Sequence, residues 1–411
     1  MASDLPPDIL AEIFSCLPVK SLLRFRSTSK SLRSLIDSHK FINLHLKSSL
    51  NFKLILRHKT NLYQLDFPNL TKSIIPLNHP FTTNIDPFTL NSIKALIGSC
   101  NGLLAIYNGP IAFTHPNDAT EITIWNTNTR KHWIIPFLPL PIPNIVESEN
   151  IERGGVCIHG FGFDPLTGDY KLLRISWLVS LQNSFYHSHA RLFSSKTNSW
   201  KIIPIMPYTV YYAQAMGVFV ENSIHWIMEK NLDGSDLCLI VAFNLTLEVF
   251  KEVPLPAVIR GEEVNNNQSF DLEVAVLGGC LSMIVNYQTT KIDVWVMKEY
   301  GSRDSWCKIF TLVKSRFTLR LKSLRPLGYS SDGSKVLLEI DCKKLVWYDL
   351  KSEQVIYVEG IPNLDEAMIC VESLVPPSFP VDNSSKKENR LSKSKRRYFF
   401  IDYLSFLLCI S

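Results

Sequence analysis

The chain has no Cys-x-x-Cys pair, and its nine cysteines, an odd number, are scattered from Cys16 to Cys409. That pattern argues against a disulfide framework and for free thiols in a reducing compartment, which points to the cytoplasm, the nucleus or both. The Asn-x-Ser/Thr triplets at Asn69, Asn244, Asn267 and Asn383 therefore carry little weight as glycan sites. Met1-Ala2-Ser3-Asp4 holds no basic stretch and leads into no apolar run, so a secretory leader is not expected. Gly-x-Ser-x-Gly, a phosphate-cradling glycine loop and the signatures of serine or cysteine nucleophiles are all missing. His187-x-His189 and Cys157-x-His159 are the close metal-capable pairs, and a structural zinc site takes four ligands. No catalytic residue, metal or cofactor is expected.

Charge of one sign is also scarce outside a single segment. Between Lys386 and Arg397 stand seven basic residues against Glu388, a net +6, which leaves −1 for the rest of a chain whose total is +5. A near-neutral body offers no broad basic face, so nucleic acid is not an expected partner. Residues 378–411 read as a solvated, disordered tail, basic and then apolar. Its apolar part, Tyr398 to Ile410, is thirteen residues long with Asp402 inside. A spanning helix needs about 20 apolar residues, so stable membrane insertion is not expected.

What is present is enough apolar side chain, 46% of 411 residues, to build a large core. The first forty-odd residues have helical spacing. Pro6 and Pro7 open a helix with Asp8 in its first turn, and Ile9, Leu10, Ile13, Phe14 and Leu17 form one apolar stripe. Pro18 ends it. A second stretch runs from Lys20 around Leu22, Leu23 and Phe25, and a third holds Leu32, Leu35 and Ile36, with Phe41, Leu44 and Leu46 beyond. So short a module cannot bury all these groups against itself, so part of the first helix must face a larger domain or a partner.

The run Leu5-Pro6-Pro7-Asp8-Ile9-Leu10-Ala11-Glu12-Ile13-Phe14, continued by Leu17-Pro18-Val19-Lys20-Ser21-Leu22-Leu23-Arg24-Phe25-Arg26 and by Ser29 to Ile36 and Phe41, closely resembles the F-box. It departs from that family at Thr28, where a Val is usual, and at Leu32, where a Trp is usual. The resemblance implies a three-helix module, residues 1–48, that binds an SKP-family adaptor and through it cullin and RING subunits. The adaptor-binding face it implies is Leu5, Pro6, Ile9, Leu10, Ile13, Phe14, Leu17 and Pro18.

From residue 52 the helical period gives way to short β-type runs. Tight-turn signals recur at Asn101-Gly102, Gly168-Asp169, Asn222-Ser223, Gly278-Gly279 and Asp332-Gly333. Alternating with them are hairpins such as Ile122–Trp125 with Trp133–Pro136, Val241–Phe243 with Val249–Pro254, and Val294–Trp295–Val296 with Trp306–Phe310. An earlier copy is Leu54–Leu56 with Tyr63–Leu65. A combined period near fifty-five built from four strands predicts propeller blades, with the tryptophans at 125, 133, 200, 295, 306 and 347 packing between them. Five quartets are complete, and a sixth blade closes if the hairpin 52–67 joins a C-terminal strand at Ile369 to Val375.

Gly217–Ile227 resembles the first half of a kelch-type repeat. With Gly98–Leu104 and Gly160–Pro165, the ensemble resembles the F-box-associated domain of plant F-box proteins. The expected architecture is thus a small all-α module followed, over residues 49–377, by an all-β kelch-like propeller with six blades.

In such a ring the first-to-second and third-to-fourth strand turns share one face. The long segments 68–97, 137–158, 176–189, 205–215, 257–272 and 313–325 are expected on the other. Loops on a rigid scaffold are the usual place for recognition. Phe185, Tyr186, His187, Tyr208, Tyr211 and Tyr212 are the expected anchors for an unknown protein substrate. The function implied is substrate recognition for an SCF-type ubiquitin ligase; the alternative is a propeller that binds a small molecule or glycan under a helical cap.

Overall fold

The computed structural model describes residues 6–70, 74–81, 93–109, 112–113, 121–139, 153–180, 186–204, 206–210, 216–232, 235–256, 259, 270–316, 321–361 and 363–377. The tail beyond 377 lies outside them, as do Leu5, Phe185, Tyr211 and Tyr212.

Four helices come first: α1 (Pro7–Ser15), α2 (Val19–Arg26), α3 (Lys30–Ile36) and α4 (His39–Ser48). Proline starts α1 and stands at the N-cap of both α1 and α2, where the missing N–H costs nothing. Serines cap the other two. Ser29 Oγ accepts from Leu32 N at 3.1 Å and Ser38 Oγ accepts from Phe41 N at 3.2 Å. The resemblance implied three helices; α4 is the addition. Its cap at Ser38 and its inward stripe Phe41, Ile42 and His45 make it a separate element packed on α1.

The rest is a six-bladed ring. Blade 2 is Ile93–Cys100, Leu103–Gly109, Glu121–Trp125 and His132–Ile134, and blade 3 is Arg153–Asp164, Asp169–Ser180, Tyr186–Ser194 and Ser199–Ile203. Blade 4 sets Thr209–Val210 and Val218–Val220 against Ser223–Leu232, then Ser235–Asn244 and Val249–Val253. Blades 5 and 6 are the meanders 271–313 and 324–357. Inner strands contact in the order 1–2–3–4–5–6–1. The tryptophans sit on the seams: Trp125 between blades 1 and 2, Trp133 and Trp200 between 2 and 3, Trp306 between 4 and 5, Trp347 between 6 and 1.

Blade 1 is spliced from both ends of the chain. Glu366–Val371 is its inner strand, paired antiparallel with Phe52–His58 from Phe52↔Val371 to Arg57↔Glu366. Asn61–Phe67 and Ile75–Leu77 follow outward. The closing strand therefore starts three residues earlier than Ile369. The hairpin 52–67 supplies the second and third strands, not the third and fourth as the repeat series implied. The inner position was already taken by the C-terminal strand.

The turns follow the sequence signals with two slips: Asp169 is already a strand residue paired with Asp164, so that Gly168 ends the turn, and the other slip lies in blade 4. Asn101 and Gly102 both have positive φ (53° and 77°), as a type I′ turn requires. In blade 4 the left-handed pair is Glu221-Asn222 (47° and 61°), one residue before the Asn222-Ser223 of the sequence reading. Ser223 is instead paired with Val220 as the first residue of its strand.

Candidate protein-binding surfaces

The helices and the ring share one apolar cluster. Phe14, Val19, Leu22, Ile36, Phe41 and Ile42 belong with Leu103, Ile124, Leu374 and Val375 to the same core. Polar ties reinforce it. Ser49 Oγ donates to Glu372 O at 3.1 Å, Glu372 N donates to Asn51 O at 2.8 Å, and buried Asn126 donates to Ser373 O and Val375 O at 3.0 and 2.8 Å. All these groups lie at the end of the ring that holds Asn101-Gly102, so the helices stand on the tight-turn face.

The α1 stripe is divided by that packing. Ile9 and Ile13, one turn apart, are 46% and 49% exposed, and Pro6 and Pro18 are exposed beside them. Leu10 and Leu17 are half-buried against the core. Phe14 is only 8% exposed and stacks on Phe25 with ring centroids 5.2 Å apart. Phe25 itself, which the sequence places in the second helical stretch, is an exposed apolar neighbour of the stripe. Its place was hidden because α2 is too short for its pattern to separate an inner from an outer face. A two-pronged pair, Arg26 Nε and Nη2 on Asp37 at 2.6 and 2.9 Å, clips α2 to the end of α3 and holds the Asp37 carboxyl below its ordinary range.

On the opposite face lie the strand ends that the chain joins, outer strand to next inner strand, across 78–92, 135–152, 204–217, 254–270, 314–323 and 358–365. The second-to-third strand connections share that face, and most are short. Residues 59–60 make a two-residue turn, and 288–290 and 341–343 three-residue ones. Segment 176–189 is a correction of the same kind. Asp169–Ser180 and Tyr186–Ser194 pair through Val179↔Tyr186 and Leu178↔His187, so Tyr186 and His187 are strand residues. Trp177 inside that segment is fully buried, its Nε1 donating to Tyr208 O at 3.2 Å.

Tyr208 plugs the seam between blades 3 and 4. Its ring is buried under Lys230, and its hydroxyl donates to Glu252 Oε1 at 3.0 Å. Burial first, and then that carboxylate, push the phenol up to about 12. Cys157 and His159 are buried in blade 3, and among the described residues no three His, Cys, Asp or Glu side chains gather to hold a metal. Nor is any described helix long and apolar enough to cross a membrane.

A helical module of this kind seated on a six-bladed ring defines a class. The F-box domain family matches residues 2–44, and the F-box associated beta propeller domain family matches residues 51–371. The chain belongs to the F-box proteins that carry this propeller. It is similar to F-box protein CPR1 of Arabidopsis thaliana, 32% identical over 391 residues, covering 90% of this chain and 88% of that one. F-box/kelch-repeat protein At3g23880 of the same plant is 25% identical, covering 91% and 96% of the two chains.

Proposed function

We propose that this protein is the substrate receptor of an SCF-type cullin-RING ubiquitin ligase, acting in the cytoplasm or nucleus without catalysing a reaction itself. The observation that carries the reading is the pair Ile9 and Ile13, two large aliphatic side chains left open on a helix whose Phe14 is buried and whose Leu10 is half-buried. Burying a few such side chains at about 25 cal/mol per Å² supplies a useful interface, and the SKP-family adaptor is the partner that would cover them.

The helices stand on the tight-turn face, while the long connections leave from the other. A substrate held by those connections is carried by the same rigid ring that the adaptor holds. Tethering then raises the effective concentration of a substrate lysine at a ubiquitin-charged enzyme, and no group of this chain needs to make or break a bond. The test is capture of the SKP adaptor by the double variant Ile9→Asp, Ile13→Asp. We expect capture to fall at least tenfold with the fold intact; undiminished capture would reject this face.

A further inference from the structure

Blade 3 turns two arginines toward blade 2. Arg174 and Arg191 face each other directly across Asp169–Ser180 and Tyr186–Ser194, a like-charged cross-strand pair that is unfavourable unless an anion offsets it. Arg174 is only 5% exposed. Its Nη1 and Nη2 donate to Leu138 O and Pro139 O at 2.7 and 3.1 Å, its guanidinium lies over the Trp200 ring at 5.4 Å, and its Nε has no partner. Arg191 donates only to the neighbouring Ala190 O. Neither arginine forms an ion pair among the described residues.

Among the described residues, the titratable groups that act on Arg174 supply no negative charge. Burial, and then Arg174, hold His159 down to about 3, so its imidazole is neutral, and burial pushes the Cys157 thiol up to about 12. Buried charges in proteins are ordinarily paired, and removing the partner of such a charge is strongly destabilising. The guanidinium opens into a cleft lined by Ile122, Ile135, Pro136, Phe137, Leu138 and Trp200. The space beside it holds about one water-sized group. Phe137, at the mouth, is 56% exposed.

We propose that this cleft between blades 2 and 3 is a recognition pocket for one carboxylate carried beside an apolar group on the protein that the receptor holds, one carboxylate oxygen filling the water-sized space against Arg174 and the apolar group lying on Phe137. This rests on the receptor reading above. The fit is chemical: a guanidinium with N–H groups left over from its two carbonyl bonds at the base, aliphatic and aromatic walls, and an exposed ring at the rim.

The experiment is saturation-transfer NMR on the full-length protein. The probes are phenylacetate and a blocked tetrapeptide with adjacent phenylalanine and aspartate, with its asparagine counterpart as control. Saturable transfer to phenylacetate and to the aspartate peptide, but not to the asparagine peptide, is the expected result, with affinity at least tenfold weaker in Arg174→Gln. Should that variant misfold, Phe137→Ala, a change at an exposed position, is expected to weaken both probes at least threefold. Failure of both probes to bind the wild type, equal transfer to the asparagine peptide, or unchanged affinity in the folded variants would overturn the pocket. Binding of phenylacetate alone would overturn a protein-borne carboxylate. Binding that appears only after Glu147, Glu149 and Glu152 are changed to Gln would overturn it too, because the chain's own acids would then be the occupant. Adaptor capture is scored separately: its loss in the wild type sinks the receptor reading, and its presence without carboxylate binding sinks only the pocket.

Discussion

Gly102 approaches Ser373 so closely that a Cβ on the glycine would lie 2.3 Å from the serine Oγ and 2.6 Å from Val371 O. The first turn of blade 2 is thereby pressed on the segment that follows the closing strand of blade 1. Beside it, Asn126 holds the same segment through two carbonyls. The contact joins ring closure to the seating of the helices, since Leu374 and Val375 continue into their shared core.

Replacing Gly102 by Ala should therefore cost stability twice. Its φ of 77° is left-handed, a strain of about 1–2 kcal/mol for an L-residue, and the clash adds about 1–3 kcal/mol of overpacking. A lower urea midpoint is expected, with loss of structure in both the ring and the helices in one transition. A variant as stable as the wild type would mean that this contact closes nothing.

Phe14 and Ile13, neighbours in α1, should behave oppositely. Phe14→Ala removes a buried ring and its stack on Phe25, which should destabilise by about 3 kcal/mol. Ile13→Ala touches an exposed side chain and should change stability by no more than about 0.5 kcal/mol while weakening adaptor capture. Thermal melts and quantitative pull-down on the same two variants check the contrast.

Glu273 predicts a pH dependence. Burial first, then the like charges of Glu339 and Asp271, outweigh the attraction of Arg325 and push its carboxyl from 4.5 up to about 7. A carboxyl raised in the folded state favours folding in its protonated form. That contribution is complete below about pH 4.5 and is lost as the pH rises through 7. Glu273→Gln should match the wild type near pH 4 and exceed it at pH 8. Denaturant midpoints across that range give the comparison; identical profiles would count against the shift.

The helical module was legible because its signals are local. Prolines at 6, 7 and 18 punctuate the chain, and a 3.6-residue stripe survives within nine residues. The blade count was legible for a related reason: positive-φ turn residues such as Asn101-Gly102 mark the first hairpin in several blades. The slip at Glu221-Asn222 shows the limit. A glutamate in the left-handed region carries no sequence signal, and only the pairing of Val220 with Ser223 fixes the register. The candidate recognition residues were less legible. Tyr208 looked like a loop anchor and is a seam plug, because what covers it, Lys230 and Glu252, comes from strands 22 and 44 residues away.

Alternation, capping and turn chemistry act over a few residues, so the sequence by itself determined that four-stranded units repeat behind a helical module with an apolar stripe. Which of those apolar groups stay uncovered, and that a strand-borne arginine at 174 ends up buried with no counter-charge among the described residues, only the tertiary structure decided. Both depend on which blade or helix comes to rest against the side chain, and that is settled by closing a ring whose two ends lie more than three hundred residues apart in the chain.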